Sequence, residues 1–182
     1  MIQAYQEGSP YAFNRLLQRY QTPLFTYLLR WVRDRAIAED LFQETFLRVI
    51  RALPDYREQD KFGSWLFGIA HRLCLDHFRR QKACRGIWQP ASADEGQQGV
   101  PEPADRTPSP QEIAERHEFS LLLDLALEKM PAPAREVFLL RQHSDLPFRE
   151  IAALLERPLN TVLGQMRQAV EHLRQTMEKH YA

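Results

Sequence analysis

The sequence has few cysteines and no long apolar run, and each shortage excludes a class of protein. Its 182 residues contain only Cys74 and Cys84, too few for the disulfide framework of a small secreted domain. No apolar stretch approaches the ~18 to 20 residues needed to cross a bilayer, and Met1 to Pro10 lacks the basic start and apolar stretch of a secretory signal. We therefore expect a cytoplasmic protein that is not inserted in a membrane.

Signatures of catalysis are missing as well. The chain has no Gly-rich phosphate loop, no G-x-S-x-G elbow and no H-E-x-x-H helix. His71, Cys74 and His77 raise the alternative of a zinc enzyme, but their spacing spreads them over roughly 120° of a helix and no C-x-x-C pair is present. We expect no catalytic activity, no metal and no cofactor.

The chain has no net charge, since 24 basic residues balance 24 acidic ones, but the charge is unevenly placed. The segment 72–85 carries five Lys or Arg against the single acid Asp76, a net charge of +4 in fourteen residues. Such a patch can neutralise DNA phosphates, although a solvated helix end is an equally good interpretation of it alone.

Aromatic residues are interleaved with cations just before this basic segment. The cations Arg57 and Lys61 lie between Tyr56 and the pair of rings at Phe62 and Trp65. Aromatic rings in a basic setting can stack on unpaired bases, which contributes ~1 to 3 kcal/mol per base. Each ring taken alone would more often belong to a hydrophobic core.

Apolar residues recur at spacings of three and four along the chain, and no alternating apolar and polar strand pattern occurs, so the sequence predicts an all-α fold. Two short helices are predicted to start at Ser9-Pro10 and at Thr22-Pro23. A third, longer helix should be capped by Asp34 and stopped by Pro54, and a fourth should run from Trp65 to about Lys82. These helices would form one small domain.

The second half begins with a segment that cannot form a core. Residues 86–110 hold five of the twelve prolines and few large apolar side chains, which predicts a flexible, acidic linker. Ser109 to Glu112 has the form of a capping box, and a following stripe of apolar spacing consists of Ile113, His117, Leu121 and Leu125.

A helix-turn-helix is predicted near the end of the chain. A short helix from Phe148 to Leu155, the turn Glu156-Arg157-Pro158 and a longer final helix have that outline. The predicted organisation is a domain at 1–84, a linker at 85–109 and a second domain at 110–182.

Several motifs resemble the extracytoplasmic-function (ECF, group IV) branch of the sigma-70 family of RNA polymerase sigma factors. In the first domain the similar segments are Ala38–Val49 (AEDLFQETFLRV), Phe62–Ala70 (FGSWLFGIA) and Leu75–Arg80 (LDHFRR). In the second domain they are Leu127–Pro131, Arg135–Arg141 and Glu150–Ala152. Matches in the right order on both sides of a linker are much more specific than either alone.

The resemblance implies partners and site residues that periodicity cannot give. It implies docking on the β′ clamp helices of core RNA polymerase through Glu39, Asp40, Gln43, Glu44 and Leu47, and it names the β flap as a further contact of the factor on the polymerase. It implies contacts with duplex and melted promoter DNA at the minus-10 element by Tyr56, Arg57, Lys61, Phe62, Trp65, His71, Arg72, Asp76, Arg79 and Arg80. At the minus-35 element the implied contacts are Arg149, Asn160, Thr161, Leu163, Gly164, Gln165, Arg167 and Gln168.

Two segments depart from the family pattern. Arg72 stands where the family commonly has Asn, and Leu163-Gly164-Gln165 replaces the common Lys-Ser-Arg of the last helix. The hypothesis is a sigma factor that directs polymerase to promoters and helps to melt them. Many relatives also require an anti-sigma factor, so such a protein is a candidate for a further partner. The alternative is a stand-alone helix-turn-helix regulator, which would need only the second domain.

Overall fold

The computed structural model describes residues 10–57, 61–84 and 109–181, and this part of the chain is helical without any strand. The helices are α1 (Pro10–Val32), α2 (Arg35–Ala52), a short 3-10 helix (Leu53–Asp55), α3 (Phe62–Cys84), α4 (Pro110–Lys129), α5 (Ala132–Ser144), α6 (Phe148–Leu154) and α7 (Leu159–Tyr181). None of them is long and apolar enough to span a membrane. Helices α1 to α3 belong to one compact unit, and α4, α6, α7 and most of α5 belong to a second. The predicted linker lies outside the described residues, apart from Ser109.

The prediction of two separate helices before residue 33 is wrong, because α1 is one helix with Pro23 inside it. A proline in a helix removes one backbone hydrogen bond and costs ~3 kcal/mol. Just after it, however, Leu24, Tyr27 and Leu28 are completely buried. Each such side chain contributes about 1.5 to 3 kcal/mol when it is buried, so the packing of the continuous helix outweighs the cost of the proline.

The predicted start and end of α2 are confirmed. Oδ1 of Asp34 accepts a hydrogen bond from the backbone N–H of Ile37 at 3.0 Å, as expected of a helix N-cap. The helix ends at Ala52, and Pro54 lies in the 3-10 helix that follows. Its inner face consists of Ala38, Leu41, Thr45, Phe46 and Val49.

Helix α3 begins three residues earlier than predicted, at Phe62. The Phe62 side chain is buried, and its ring lies 5.4 Å from the ring of Tyr20 on α1. Phe67 is also completely buried, and its ring meets that of Tyr27 edge-on at 5.4 Å. Contacts with α1 therefore favour a helical start upstream of Trp65, a signal that the local sequence does not contain.

The capping box that opens α4 is confirmed. The Ser109 hydroxyl accepts from the Glu112 backbone N–H at 3.2 Å, and the Glu112 carboxylate accepts from the Ser109 N–H at 2.7 Å. That backbone hydrogen bond is the main reason why the pKa of Glu112 lies below its ordinary value.

The apolar stripe predicted for α4 is not its buried face. Ile113 and Leu125 are each 52% exposed. The buried side chains lie on another side of the helix, namely Leu122, Leu123, Ala126, Leu127 and Met130. Both faces carry leucines at helical spacing, so only packing against the rest of the unit distinguishes them.

Helices α6 and α7 have the predicted helix-turn-helix outline. Ile151 and Ala152 on α6 are buried, as are Val162 and Ala169 on α7. The connecting turn spans residues 155–158. Near the end of α5, Nη1 of Arg141 donates to the carbonyl of Leu146 on the following loop at 2.9 Å, and the same guanidinium lies 5.4 Å from the Phe148 ring centre.

Candidate functional surfaces

The outer side of α2 is polar and opposite the core. Asp40 and Gln43 are exposed, whereas Leu41 and Thr45 are buried. Arg35 pairs with Glu39 at 2.9 Å and Arg48 pairs with Glu44 at 2.7 Å, each across one helical turn.

Asp40 and Gln43 lie between these two ion pairs, and neither forms a side-chain hydrogen bond or ion pair within the described ranges. Leu47 continues the same helix and is 47% exposed. We call Glu39, Asp40, Gln43, Glu44 and Leu47 the α2 face. It offers a carboxylate, an amide and an apolar side chain for contact with another molecule.

The C-terminal half of α3 presents the basic surface. Its exposed cations are Arg72, Arg79, Arg80 and Lys82, while Arg85 lies outside the described residues. Asp76 pairs with Arg79 at 3.4 Å in an exposed geometry, and pairs of that kind contribute little. Arg57 and Lys61 are also exposed, so cations lie between the aromatic residues as well as after them.

The predicted aromatic residues form a cluster. The ring of Tyr56 lies 4.5 Å from that of Trp65 at an angle of 38°, and both rings also contact Phe62, at 5.8 and 5.5 Å. Phe62 is buried, whereas Tyr56 and Trp65 are half-buried. Only the latter two offer partly open ring surfaces to which an unpaired base can stack.

His71 lies inside the first unit rather than at its surface. Only 3% of His71 is exposed, and its Nδ1 is 3.0 Å from the Tyr27 hydroxyl. The same hydroxyl accepts from Nε1 of Trp31 at 2.7 Å. His71 and Phe62 therefore have packing roles, and we omit both from the DNA-contacting surface proposed below.

The residues of the zinc alternative do not converge. Burial raises the pKa of the Cys74 thiol to about 12, which keeps this sulfur protonated and therefore a poor metal ligand. Within residues 10–57, 61–84 and 109–181, no three His, Cys, Asp or Glu side chains are grouped so that they could hold a metal ion.

The exposed side of α7 collects most of the residues predicted to read duplex DNA. Asn160, Thr161, Gly164, Arg167 and Gln168 are exposed there, and Leu163 and Gln165 are half-buried. Arg149, at the start of α6, is exposed too.

Gly164 has no packing reason to be glycine. A Cβ atom added at this position would meet nothing within 4 Å.

Two further residues that the sequence-based site did not include lie beside this surface. Arg157, in the turn before α7, forms an ion pair with the buried carboxylate of Glu136 on α5, and its Nη1 donates to Oε1 of Gln165 at 3.2 Å. A partial signal was available, because Glu136 directly precedes the apolar run from Val137 to Leu140. A buried acid of this kind requires a cationic partner.

Each of the two units matches the model of a known protein family. Residues 16–84 match the model of Sigma-70 region 2, and residues 120–173 match that of Sigma-70, region 4. Together the two matches span about two thirds of the chain. The chain belongs to the sigma-70 family.

Individual relatives are consistent with this assignment. The RNA polymerase sigma-H factor of Pseudomonas aeruginosa is 25% identical over 98% of this chain and 92% of that protein. The ECF RNA polymerase sigma-E factor of Escherichia coli K12 is 27% identical over 94% of this chain and 89% of that protein.

Two solved structures have a similar fold. One is the sigma factor RpoE of Bartonella quintana in complex with the anti-sigma factor NepR, with a TM-score of 0.68 and 18% identity over 92% of this chain and 97% of that one. The other is CnrH in complex with the cytosolic domain of CnrY, with a TM-score of 0.67 and 21% identity over 98% of this chain and 95% of that one.

The chain is accordingly an RNA polymerase sigma factor of the ECF type, which binds core polymerase, directs promoter recognition and assists melting at initiation. The region 2 match favours this function over that of a stand-alone helix-turn-helix regulator. Sigma factors are in general regulators of transcription rather than enzymes.

Proposed function

We propose that three surfaces divide the work of this sigma factor. The α2 face docks on the β′ clamp helices of core polymerase. The exposed cations of α3, with Arg57, Lys61, Tyr56 and Trp65, hold the minus-10 element and its melted strand. The exposed side of α7, with Arg149, reads the minus-35 element, while residues 85–109 join the two DNA-contacting domains.

The observation that best supports this division is that, on each helix, the side chains packed in the core are distinct from the exposed side chains assigned to a partner. Asp40 and Gln43 are exposed beside the buried Leu41 and Thr45, so they contribute nothing to the core of the free chain. Exposed polar side chains between two local ion pairs are available to a partner without repacking. A rigid helix that presents them needs little ordering when it binds.

The chain itself then carries no catalytic group, and the reaction belongs to the polymerase. The chain would act in the bacterial cytoplasm, where the polymerase and the chromosome are.

The β flap is the proposed contact of the second unit. An anti-sigma factor is a further proposed partner, since both structural relatives above were solved with a bound partner, named as an anti-sigma factor for RpoE.

Replacement of Asp40 and Gln43 by alanine tests the docking surface. Asp40→Ala with Gln43→Ala should weaken core polymerase binding at least tenfold, because interface residues that matter usually cost more than 1 kcal/mol on truncation. Helicity and thermal melting should stay unchanged, since both side chains are exposed. Affinity is measured by titration of labelled chain with core enzyme.

The matched control is Asp55→Ala with Gln18→Ala, which removes the same two functional groups from exposed positions elsewhere on the first unit. This variant should bind core polymerase like the wild type. Equal affinity of the α2 variant and the control would refute the docking surface.

A further inference from the structure

We propose that Arg157 sets the base preference of Gln165, by engaging its amide oxygen so that the amide offers the DNA mainly its N–H donors. This inference rests on the proposed role of α7 at the minus-35 element. Gln165 then recognises a hydrogen-bond acceptor in the major groove, on guanine or thymine, and Arg157 is the residue that determines this choice.

The guanidinium of Arg157 is fixed at both ends. Its Nη2 forms the ion pair with Glu136, whose side chain is only 7% exposed, and Nη1 donates to Oε1 of Gln165 at 3.2 Å. The Arg157 side chain itself is 29% exposed. Because a guanidinium is planar, its ion pair with a buried carboxylate restricts where the remaining N–H groups point.

The backbone of the turn also places Arg157. Glu156 adopts a left-handed conformation with φ 53°, and the N–H of Arg157 donates to the Ala152 carbonyl at 2.9 Å. With the bond from the Glu156 N–H to the Ala153 carbonyl at 3.3 Å, this is a Schellman motif. The motif closes the end of α6, and its last residue, Arg157, directly precedes Pro158, whose carbonyl accepts from the N–H groups of Thr161 and Val162.

The chemistry of the pair determines which way the amide points. A guanidinium has donors and no acceptor, so the atom of Gln165 that meets Nη1 must be oxygen. This removes the ambiguity between amide oxygen and nitrogen that usually affects glutamine. The NH2 group is therefore at the opposite end of the amide from Arg157.

This orientation disfavours one form of base recognition. Paired recognition of adenine needs glutamine to accept from N6 and to donate to N7 at once. Oε1 has two lone pairs and Arg157 takes one of them, so N6 of adenine would have to share this oxygen with the guanidinium. The NH2 donors match O6 and N7 of guanine or O4 of thymine, whereas N7 of adenine lies beside the N6 donor and N4 of cytosine is itself a donor.

The test measures base preference with the complete holoenzyme. Duplex promoters with a randomised minus-35 element are bound, and the bound fraction is sequenced. The wild type should favour guanine or thymine at one position, by about three- to tenfold over adenine and cytosine, as expected from one hydrogen bond. Gln165→Met should abolish this preference at that position.

Arg157→Lys tests the proposed cause. Lysine keeps a positive charge for Glu136 but has no planar fork that spans both partners, so Gln165 is released. Adenine should then rise about three- to tenfold at the same position, since the freed amide can form both bonds. If Arg157→Lys lowers thermal stability, the double variant Glu136→Met with Arg157→Met replaces the pair by apolar groups, an exchange that is often neutral for folding.

The matched control is Gln175→Met, which lies on α7 and is exposed but is outside the proposed minus-35 contacts. It should leave the preference that depends on Gln165 unchanged. An adenine preference in the wild type, or an Arg157 variant with the wild-type preference, would overturn the inference while α7 keeps its role. Equal weakening of all sequences by Arg157→Lys would also overturn it and would make Arg157 a phosphate contact. If the wild-type holoenzyme shows no base preference anywhere in the minus-35 element, the proposed role of α7 fails as well.

Discussion

The buried hydroxyl of Tyr27 connects three side chains of the first unit, and its removal is a direct test of the packing described above. Trp31 on the same helix donates to this oxygen at 2.7 Å, and Nδ1 of His71 on α3 lies 3.0 Å away. An indole N–H can only donate, so the phenol oxygen accepts from Trp31, and it forms a second hydrogen bond with Nδ1 of His71. Tyr27→Phe removes this oxygen and leaves the ring contact with Phe67 in place.

The expected cost follows from the burial of these groups. Trp31 and His71 are 7% and 3% exposed, so water does not readily replace the lost hydroxyl. Removing the partner of a buried polar group costs about 1 to 3 kcal/mol, and the exchange leaves no cavity larger than one oxygen atom. With a denaturant slope of about 1 to 3 kcal/mol per M, the urea midpoint of the first unit should fall by roughly 1 M.

Tryptophan fluorescence during urea unfolding of the full chain measures this change, because Trp31 and Trp65 both belong to the first unit. The matched control is Tyr11→Phe, which removes the same hydroxyl from a side chain that is 80% exposed and should leave the midpoint unchanged. A Tyr27→Phe midpoint equal to that of the control would refute a stabilising role of the buried hydroxyl.

Two other predictions concern the DNA-contacting surfaces. Tyr56→Leu replaces the ring by a smaller apolar side chain. It should reduce transcription from duplex promoters more than from templates already mismatched over the melted region, because only duplex promoters require opening energy. Equal loss on both templates would argue against strand capture. Arg79→Ala with Arg80→Ala should flatten the slope of log affinity against log salt by up to roughly two units, since each neutralised phosphate contributes about −0.9. Arg167→Ala should flatten this slope by at most about one unit. A larger effect of Arg167→Ala than of the double variant would place the main phosphate anchor on α7.

Local signals in the sequence predicted the features that depend on neighbouring residues. The Asp34 cap and the Ser109 capping box each join residues three apart, and Pro54 ends α2 through its own ring. Such features are readable because both partners lie within one helical turn. The same holds for the outline of the helix-turn-helix, and the motif resemblance then identified the family.

Contacts between distant residues were decided only by the tertiary structure. Tyr27 and His71 are 44 residues apart, so no local pattern shows that this histidine is buried and hydrogen-bonded rather than free to meet DNA. The continuity of α1 through Pro23 and the choice of buried face on α4 also depend on packing, which outweighs local propensity. Arg157 meets Glu136 and Gln165 only because α5 and α7 converge on one turn, and that convergence fixes which end of an amide is available to a base.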